Sequence, residues 1–511
     1  MKKVKNFLFI ALASISVLSC NDALDIVQDG ELSEEVVFKQ TSDLEKYLNG
    51  AIYASLDNSS QIKFASVFTD ELSVAPTNTG WDYALHRYIV NADDSYAAGI
   101  WANSYSTINK VNRLLEIAQK ITPSAGEQAT YNNTLAEARA LRAYAYLTLQ
   151  SHFTTNMKDD NALGVILSTK VPDLYDQLPR VKNADIWAQM EADLAFADAN
   201  LNTSSAAVAA HPFPFFVSKS FVSAIRARMY LYRGNYTLAK QYAQDAITTS
   251  GVSLTLATPI PAGTPGSTSW NNSFYSEATT NPYRKIWNDT SNGENIFVLN
   301  RPIGGIGGNI ASLYTTNKTD IDGSALWTVG LNLFSALTSN TNDIRPFAFM
   351  DPKKYSGANA IYRVIDKYPG KGNQPLKNNI KVVRLSEMYL ILAECAVKES
   401  TPDLAAAANY VQQIRQARRY SGTAATPTYA TVTDALQGIL KERRIELAFE
   451  GHRYIDLRRL GAEANVSIDR HAQDDIVVTP TTLSITDYRF TMPIPSSEIL
   501  GNPTIQQNPG Y

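Results

Sequence analysis

The segment Ala224–Ile247, reading AIRARMYLYRGNYTLAKQYAQDAI, narrows most sharply what this chain can fold into. Apolar and small residues recur at three-to-four spacing on either side of Gly234-Asn235. That pattern predicts two antiparallel helices joined by a tight turn. Tyr236, Ala239, Tyr242 and Ala246 have the spacing that the second helix needs. Ala224, Ala227, Ala239, Ala243 and Ala246 keep the facing surfaces small, so the helices can approach closely. One such hairpin cannot bury its apolar faces alone and must stack on others.

The pattern recurs. Helices are predicted over Ser42–Leu56, Ile100–Lys120, Glu127–Phe153, Ala184–Leu201 and Val217–Arg233. Arg384–Glu399 and Leu404–Arg419 form another pair, divided at Thr401-Pro402-Asp403, where Thr or Asp can cap. The Ala224–Ile247 hairpin resembles a tetratricopeptide repeat. About four such pairs would make a mainly α, right-handed helical scaffold. Between the third and fourth pairs the periodicity lapses. Gly251–Pro282 is rich in Pro, Gly, Ser and Thr, and Glu294–Arg301 reads as a short strand. Gly304, Gly305, Gly307 and Gly308 follow, without the Lys-Ser/Thr of a phosphate loop. A loop-rich insertion with short β-strands is therefore expected, and loops on a rigid scaffold are where recognition concentrates.

The amino terminus indicates a compartment. Lys2, Lys3 and Lys5 precede the apolar run Phe7–Leu18, which is too short to span a bilayer at about 1.5 Å per residue. This reads as a signal peptide. It ends at Leu18-Ser19-Cys20, which resembles a bacterial lipobox with Cys20 as the lipid attachment point. Asn21, Asp22 and Asp25 follow and resemble an acidic surface-export signal. The other cysteine, Cys395, sits in the apolar run Met388–Val397 and reads as a buried hydrophobe.

Near the other end, Glu442–Gly461 (ERRIELAFEGHRYIDLRRLG) reads as one charged amphipathic helix. Glu442, Glu446 and Glu450 stack at four-residue spacing. Arg443, Arg453 and Arg459 lie three residues from Glu446, Glu450 and Asp456, so local ion pairs are expected on a face that meets protein. This stretch, with Arg384–Glu394 (RLSEMYLILAE) and Pro493–Tyr511 (PIPSSEILGNPTIQQNPGY), resembles the SusD/RagB family of Bacteroidetes surface lipoproteins. The resemblance implies a nutrient-binding outer-membrane lipoprotein partnered with a SusC-like TonB-dependent transporter. Its ligand would be an oligosaccharide or, less often, a peptide; a structural transporter subunit without its own ligand is a further alternative. The expected layout is a signal peptide over 1–19, a tether over 20–35 and a single domain over 36–511. That domain divides into a helical half (36–250), the insertion (251–383) and a C-terminal helical part (384–511).

Catalytic chemistry finds no foothold in the sequence. The five histidines make no HExxH or other close metal-ligand spacing, and no GxSxG elbow occurs. Asp469, Asp474 and Asp475 do not match an EF-hand loop and read as a solvated acidic loop. No enzyme activity, cofactor or metal is expected. A net charge of −3, or −6 without the leader lysines, argues against nucleic acid. Binding has better material: sugar rings present apolar CH faces that stack on aromatics, and their hydroxyls need polar partners. Asn78, Trp81, Asp82 and Tyr83 supply both in one predicted loop, with Trp81 first among them. Trp270 and Tyr275 in the long loop come second, then Tyr314 and Trp327. Trp101, Trp187 and Trp287 read as structural.

The leader generates a test. Cys20→Ala is expected to abolish lipid labelling and release the protein from washed membranes, because acyl chains contribute roughly 0.8 kcal/mol per buried CH₂ and nothing else there anchors. Full-length, unprocessed chain retained in the membrane would contradict it.

Overall fold

Alanine-lined helices pack in pairs along the computed structural model, which describes residues 37–202, 211–276, 281–305, 307–353, 363–475 and 480–511. The leader, Cys20 and the tether lie outside the described residues. Among the described residues no helix is long and apolar enough to cross a membrane. The predicted helix over Ser42–Leu56 is an α-helix only over Thr41–Tyr47, continuing as a π-helical turn and a 3₁₀ turn to Ser55. Helix α1 (Ser59–Phe68) then leads to α2 (Ser95–Ala118) and α3 (Gln128–Phe153). Asp94 caps α2, its carboxylate accepting from the Tyr96 N–H at 2.8 Å. Helix α4 (Asn183–Asn200) packs on the other side of α3. Sandwiched between α2 and α4, α3 buries Ala136, Ala138, Ala140 and Ala143 together, as a helix covered on several sides must. Helices α5 (Lys219–Arg233) and α6 (Tyr236–Ser250) realise the hairpin read from the sequence. Gly234 takes φ +78°, a conformation that favours glycine, and the Asn235 side chain caps α6 by accepting from the Leu238 N–H.

Among the described residues there are three antiparallel two-stranded sheets, two of which connect remote parts of the chain. Strands β1 (Leu72–Val74), β2 (Leu163–Ile166), β3 (Arg180–Lys182), β4 (Asn295–Leu299), β5 (Trp327–Val329) and β6 (Ile380–Arg384) pair as β1–β5, β2–β3 and β4–β6. Val74 faces Trp327 and Leu72 faces Val329. The β1–β5 sheet thus ties the insertion to the helical half, and β4–β6 joins the insertion's first strand to its end. The loop predicted over Gly251–Pro282 contains a further short helix, α7 (Thr268–Phe274), capped by Ser267.

The C-terminal helices are α8 (Leu385–Lys398), α9 (Leu404–Ala417), α10 (Val432–Glu446) and α11 (Arg453–Ala464). Asp403 caps α9 by accepting from the Ala406 N–H at 2.8 Å. Helix α8 packs on α6, so the end of the chain returns to the first half. Cys395 is buried on α8, and burial pushes its thiol well up. Glu442–Gly461 is not one helix, which corrects the sequence reading. The chain breaks after Glu446, where Phe449 (φ +63°) and Gly451 (φ +88°) are left-handed. Side chains satisfy the backbone groups that the break exposes. Arg384 donates to the Glu446 carbonyl at 2.9 Å, Lys367 to the Ala448 carbonyl at 2.6 Å and Tyr368 to the Phe449 carbonyl at 2.9 Å, while Glu71 accepts from the Phe449 N–H at 3.0 Å.

The predicted local ion pairs are mostly replaced by remote ones. Arg453 grips Asp70 at 2.8 and 2.7 Å, and Arg443 pairs with Asp456 at 2.7 Å. Only Arg459 keeps its near neighbour, Asp456 at 2.8 Å, and it adds Glu394 on α8. Arg384 bonds Glu294, Glu446 and Glu450 at 2.7–2.9 Å. Arg418 joins Glu294 and Glu446, Arg345 joins Asp343, Glu442 and Glu446, and Lys367 joins Glu450. With Arg415 on Glu442, five cations face five carboxylates in one connected, buried network. Burial alone would raise these carboxyls, but Arg418 and Arg384 hold Glu446 well below its ordinary value. Arg384 and Lys367 likewise hold Glu450 down at about 2, and Arg443 and Arg459 hold Asp456 at about 2.

Glu446→Ala removes one carboxylate and leaves Arg384 and Arg418 short of counter-charge. Breaking such a buried pair costs roughly 3–5 kcal/mol. Chemical denaturation should show that loss, and a melting curve like that of the unsubstituted chain would contradict it. The depressed carboxyls also set a pH dependence. Their stabilisation is fully present above the unfolded values near 4 and is lost as pH falls through the folded values near 2. His152 and His452, which burial pushes down to about 4, lose stability in the same direction from about pH 6.5 downward. Glu71 and Asp366, which burial pushes up to about 7 and about 6, act the other way: each gains stability as pH falls from its folded value toward 4, and so opposes the histidines in that range. The melting temperature is expected to fall from pH 4 to pH 2, where only the depressed carboxyls still titrate in the folded chain; an unchanged value over that range would contradict the network's contribution.

Candidate functional site

The chain has six tryptophans, and the structure divides them sharply. Trp101, Trp187, Trp270, Trp287 and Trp327 are at most 2% exposed, whereas Trp81 is 62% exposed. Leaving a large aromatic in water forgoes the stabilisation of burial, roughly 25 cal/mol per Å² of apolar surface. An indole held outward on an otherwise well-anchored loop is therefore informative.

The loop follows β1. Asn78 is buried, and its side-chain oxygen accepts from the Gly80 and Trp81 N–H groups at 3.0 and 2.8 Å while its amide donates to the Trp81 carbonyl at 3.2 Å. This Asx-type turn, followed by Asp82 at φ +58°, aims the indole away from the protein. Asp82 pairs with Lys63 at 2.7 Å and accepts a short hydrogen bond from the Tyr96 hydroxyl. Tyr83 donates to the Asn78 carbonyl at 2.7 Å, and Arg87 lies 4.7 Å from its ring centre. Arg87 in turn forks onto Asp475 with two bonds of 3.1 Å. Asn78, Asp82 and Tyr83 thus build the turn, and Trp81 is the group it presents. Ile89, also exposed, follows the helical turn Tyr83–His86 that ends this loop and was not singled out by its sequence context.

The other expected ligand contacts are placed differently. Trp270 stacks on Phe274 at 4.6 Å and donates to the Pro261 carbonyl at 3.0 Å, so it packs α7 onto the scaffold. Tyr314 is buried against Phe449, its hydroxyl 3.3 Å from that of Ser66. Trp327 lies inside β5, 5.1 Å from the buried His86 ring. These three are core side chains with no free face, which corrects the expectation that they meet a ligand. Each was read from a loop-rich context, where short elements that bury an aromatic leave no periodicity to detect. Tyr275 is half-buried and retains a polar tip. Asp474 and Asp475 are buried rather than solvated: Asp474 accepts from the Leu331 and His471 N–H groups, and Asp475 takes Arg87. Among the described residues no cluster of three His, Cys, Asp or Glu could hold a metal ion. The loop offers a rigid aromatic face beside paired charges, an arrangement suited to stacking.

Comparison with known proteins agrees with this scaffold. The sequence model of the SusD family matches residues 338–511. A SusD-like protein of Formosa agariphila is 24% identical, with all of both chains covered. Among solved structures, a SusD superfamily protein from Bacteroides thetaiotaomicron aligns at a TM-score of 0.73 and 23% identity, covering 92% of this chain and 100% of that one. A SusD-like carbohydrate binding protein from Bacteroides vulgatus aligns at 0.69 and 19% identity, covering 92% and 98%. At these identities the structural likeness establishes the fold.

Proposed function

Because the chain belongs to the SusD/RagB family, we propose that it is a lipid-anchored protein of the outer membrane, facing the cell exterior, that binds an oligosaccharide and passes it to a TonB-dependent transporter. Trp81 carries the reading. It is the tryptophan left in water, on a turn that Asn78 and Tyr83 hold in place. A flat apolar face of this kind stacks on the CH face of a sugar ring, and nearby polar groups at the loop rim can meet hydroxyls. A solved relative in Bacteroides vulgatus is described as carbohydrate binding, which supports the ligand class. The mechanism needs no covalent step. The protein captures a chain at its surface and holds it where the transporter can take it.

Stacking offsets the desolvation of several hydroxyls, so affinity is expected in the micromolar-to-millimolar range, about −4 to −8 kcal/mol. Calorimetric titration of the soluble chain against plant, host and microbial oligosaccharides, with a peptide mixture alongside, tests this. Trp81→Ala should remove most of the affinity with helix content unchanged. Binding of peptides alone would sink the carbohydrate reading, and glycan binding indifferent to Trp81→Ala would remove this loop from the site.

A further inference from the structure

Three large apolar side chains stand almost wholly in water. Leu174 is 88%, Tyr175 89% and Leu500 86% exposed, and among the described residues no other large apolar side chain exceeds 65%. Leu174 and Tyr175 form the tip of a turn in the segment 167–179. The turn is fixed: the Asp176 N–H donates to the Asp173 carbonyl at 3.0 Å, and the Asp176 carboxylate accepts from the Asp173 N–H at 3.0 Å. Leu500 lies on the short helix α12 (Ser496–Gly501). Just beyond α12, Asn502 donates to the Leu178 carbonyl at 2.8 Å, which ties turn and helix together. Between them opens a cavity of about 370 Å³, lined on its inner side by Trp101, Tyr105, Ile108 and Ile166. Single apolar residues on a surface need no explanation, but three exposed ones around one such hollow mark an interaction surface.

The margin of the patch is acidic. Segment 167–179 and α12 together carry Asp173, Asp176 and Glu498 against a single cation, Lys170. A second copy docked by the same face would set one acidic margin against another, and anionic lipid headgroups would be repelled in the same way. A protein surface with an apolar centre and lysine or arginine around it is the complement. The patch also adjoins the Trp81 loop. Tyr96, whose hydroxyl bonds Asp82, lies in the first turn of α2, and the same helix carries Trp101 and Tyr105 into the cavity wall. Tyr96 and Tyr105 are about 14 Å apart along the helix axis. At the start of α12 the Ser496 N–H donates to the Ala92 carbonyl at 2.9 Å, three residues past the exposed Ile89. The Trp81 loop, Ile89 and the patch are thus neighbours in the fold.

We propose that the Leu174–Tyr175 turn and Leu500 form the docking surface for the TonB-dependent transporter, which meets them with an apolar centre and a basic margin. The proposal rests on the uptake reading above and gives the transporter a face of the chain beside Trp81. A sugar chain stacked on the indole then lies at the edge of the interface, within reach of the transporter while still bound.

The test expresses the tagged full chain in its native strain, extracts it in detergent and quantifies the co-purified TonB-dependent transporter by mass spectrometry. Leu174→Asp combined with Leu500→Asp is expected to lower transporter recovery at least about tenfold, because a few apolar anchors carry most of the energy of an interface. Asp173→Lys combined with Glu498→Lys should lower it as well, by placing cations against the basic margin. The melting temperature and the oligosaccharide titration of each variant should match those of the unsubstituted chain. Undiminished transporter recovery in the Leu174→Asp, Leu500→Asp chain would overturn the proposal. A clear fall in its melting temperature would overturn it by showing that the chain's own tether covers the patch, and lost oligosaccharide affinity would do so by making the patch part of the sugar site. A dimer in sedimentation of the soluble chain, or its binding to anionic phospholipid vesicles, abolished by the same substitutions would assign the patch to a second copy or to the bilayer instead. Oligosaccharide binding through Trp81 alongside undiminished recovery would overturn this surface alone. Absence of the transporter from the unsubstituted chain's eluate would overturn the delivery reading, and this surface with it.

Discussion

A buried carboxylate, Glu446, ties the insertion to the C-terminal helices. It meets Arg384 at the end of β6, Arg418 beyond α9 and Arg345 in the insertion. Each of those cations carries further carboxylates with it, so three sequence-distant segments converge on one charge-balanced centre. A buried ion network of this kind is not a cheap source of stability, because desolvation offsets most of the Coulomb attraction. Its physical consequence is selectivity. Any other register leaves a charge buried without a partner, which costs several kcal/mol, whereas apolar surfaces can slide with a smaller penalty. The tandem helices are lined with interchangeable alanines and need such a pin.

The same region governs the surface loop. The break after Glu446 turns the Phe449 N–H toward Glu71, and α11 begins with Arg453 clamped on Asp70. Asp70 and Glu71 immediately precede β1, and β1 leads into the Asn78 turn that presents Trp81. Pairing of β1 with β5 adds a second attachment, and Arg87 on Asp475 a third. The exposed indole is therefore fixed through a chain of contacts that begins in the buried network. Rigidity matters here, because a stacking face that need not be ordered on binding loses less entropy.

Much of the scaffold was legible because helical periodicity and caps are local. Gly234-Asn235 and Asp403 mark their turns in the structure as they do in the sequence. The ion pairs were legible only in part. Three-residue spacing on a helix suggested neighbours for Arg443 and Arg453, yet both found partners elsewhere, since a guanidinium at a packed face is free to pair across it. The break at Phe449 carries no local signal beyond Gly451, because it is sustained by Lys367, Tyr368 and Arg384 from outside the segment. At the candidate site, the mixture of Asn78, Trp81, Asp82 and Tyr83 marked the loop, whereas the Asx-type turn that leaves Trp81 exposed is visible only in the structure. Trp270, Tyr314 and Trp327 were misjudged because burial in short elements depends on neighbours that arrive from far along the chain.

How the charges are distributed limits what kind of recognition is open to the protein. In the core, cations and carboxylates saturate one another. At the Trp81 loop, Lys63 is committed to Asp82 and Arg87 to Asp475. Long-range attraction for an ionic ligand is correspondingly weak there, because each charge is cancelled within a few ångströms. What is left uncommitted there is one aromatic face and a few neutral dipoles. Such groups bind through contact rather than through field, with modest affinity and little sensitivity to salt. A ligand held that way also leaves readily, because affinity differences among related complexes lie mostly in the dissociation rate. For the proposed role, catching a sugar chain and giving it up to a transporter, release is as necessary as capture, and charges already paired around the Trp81 loop serve it.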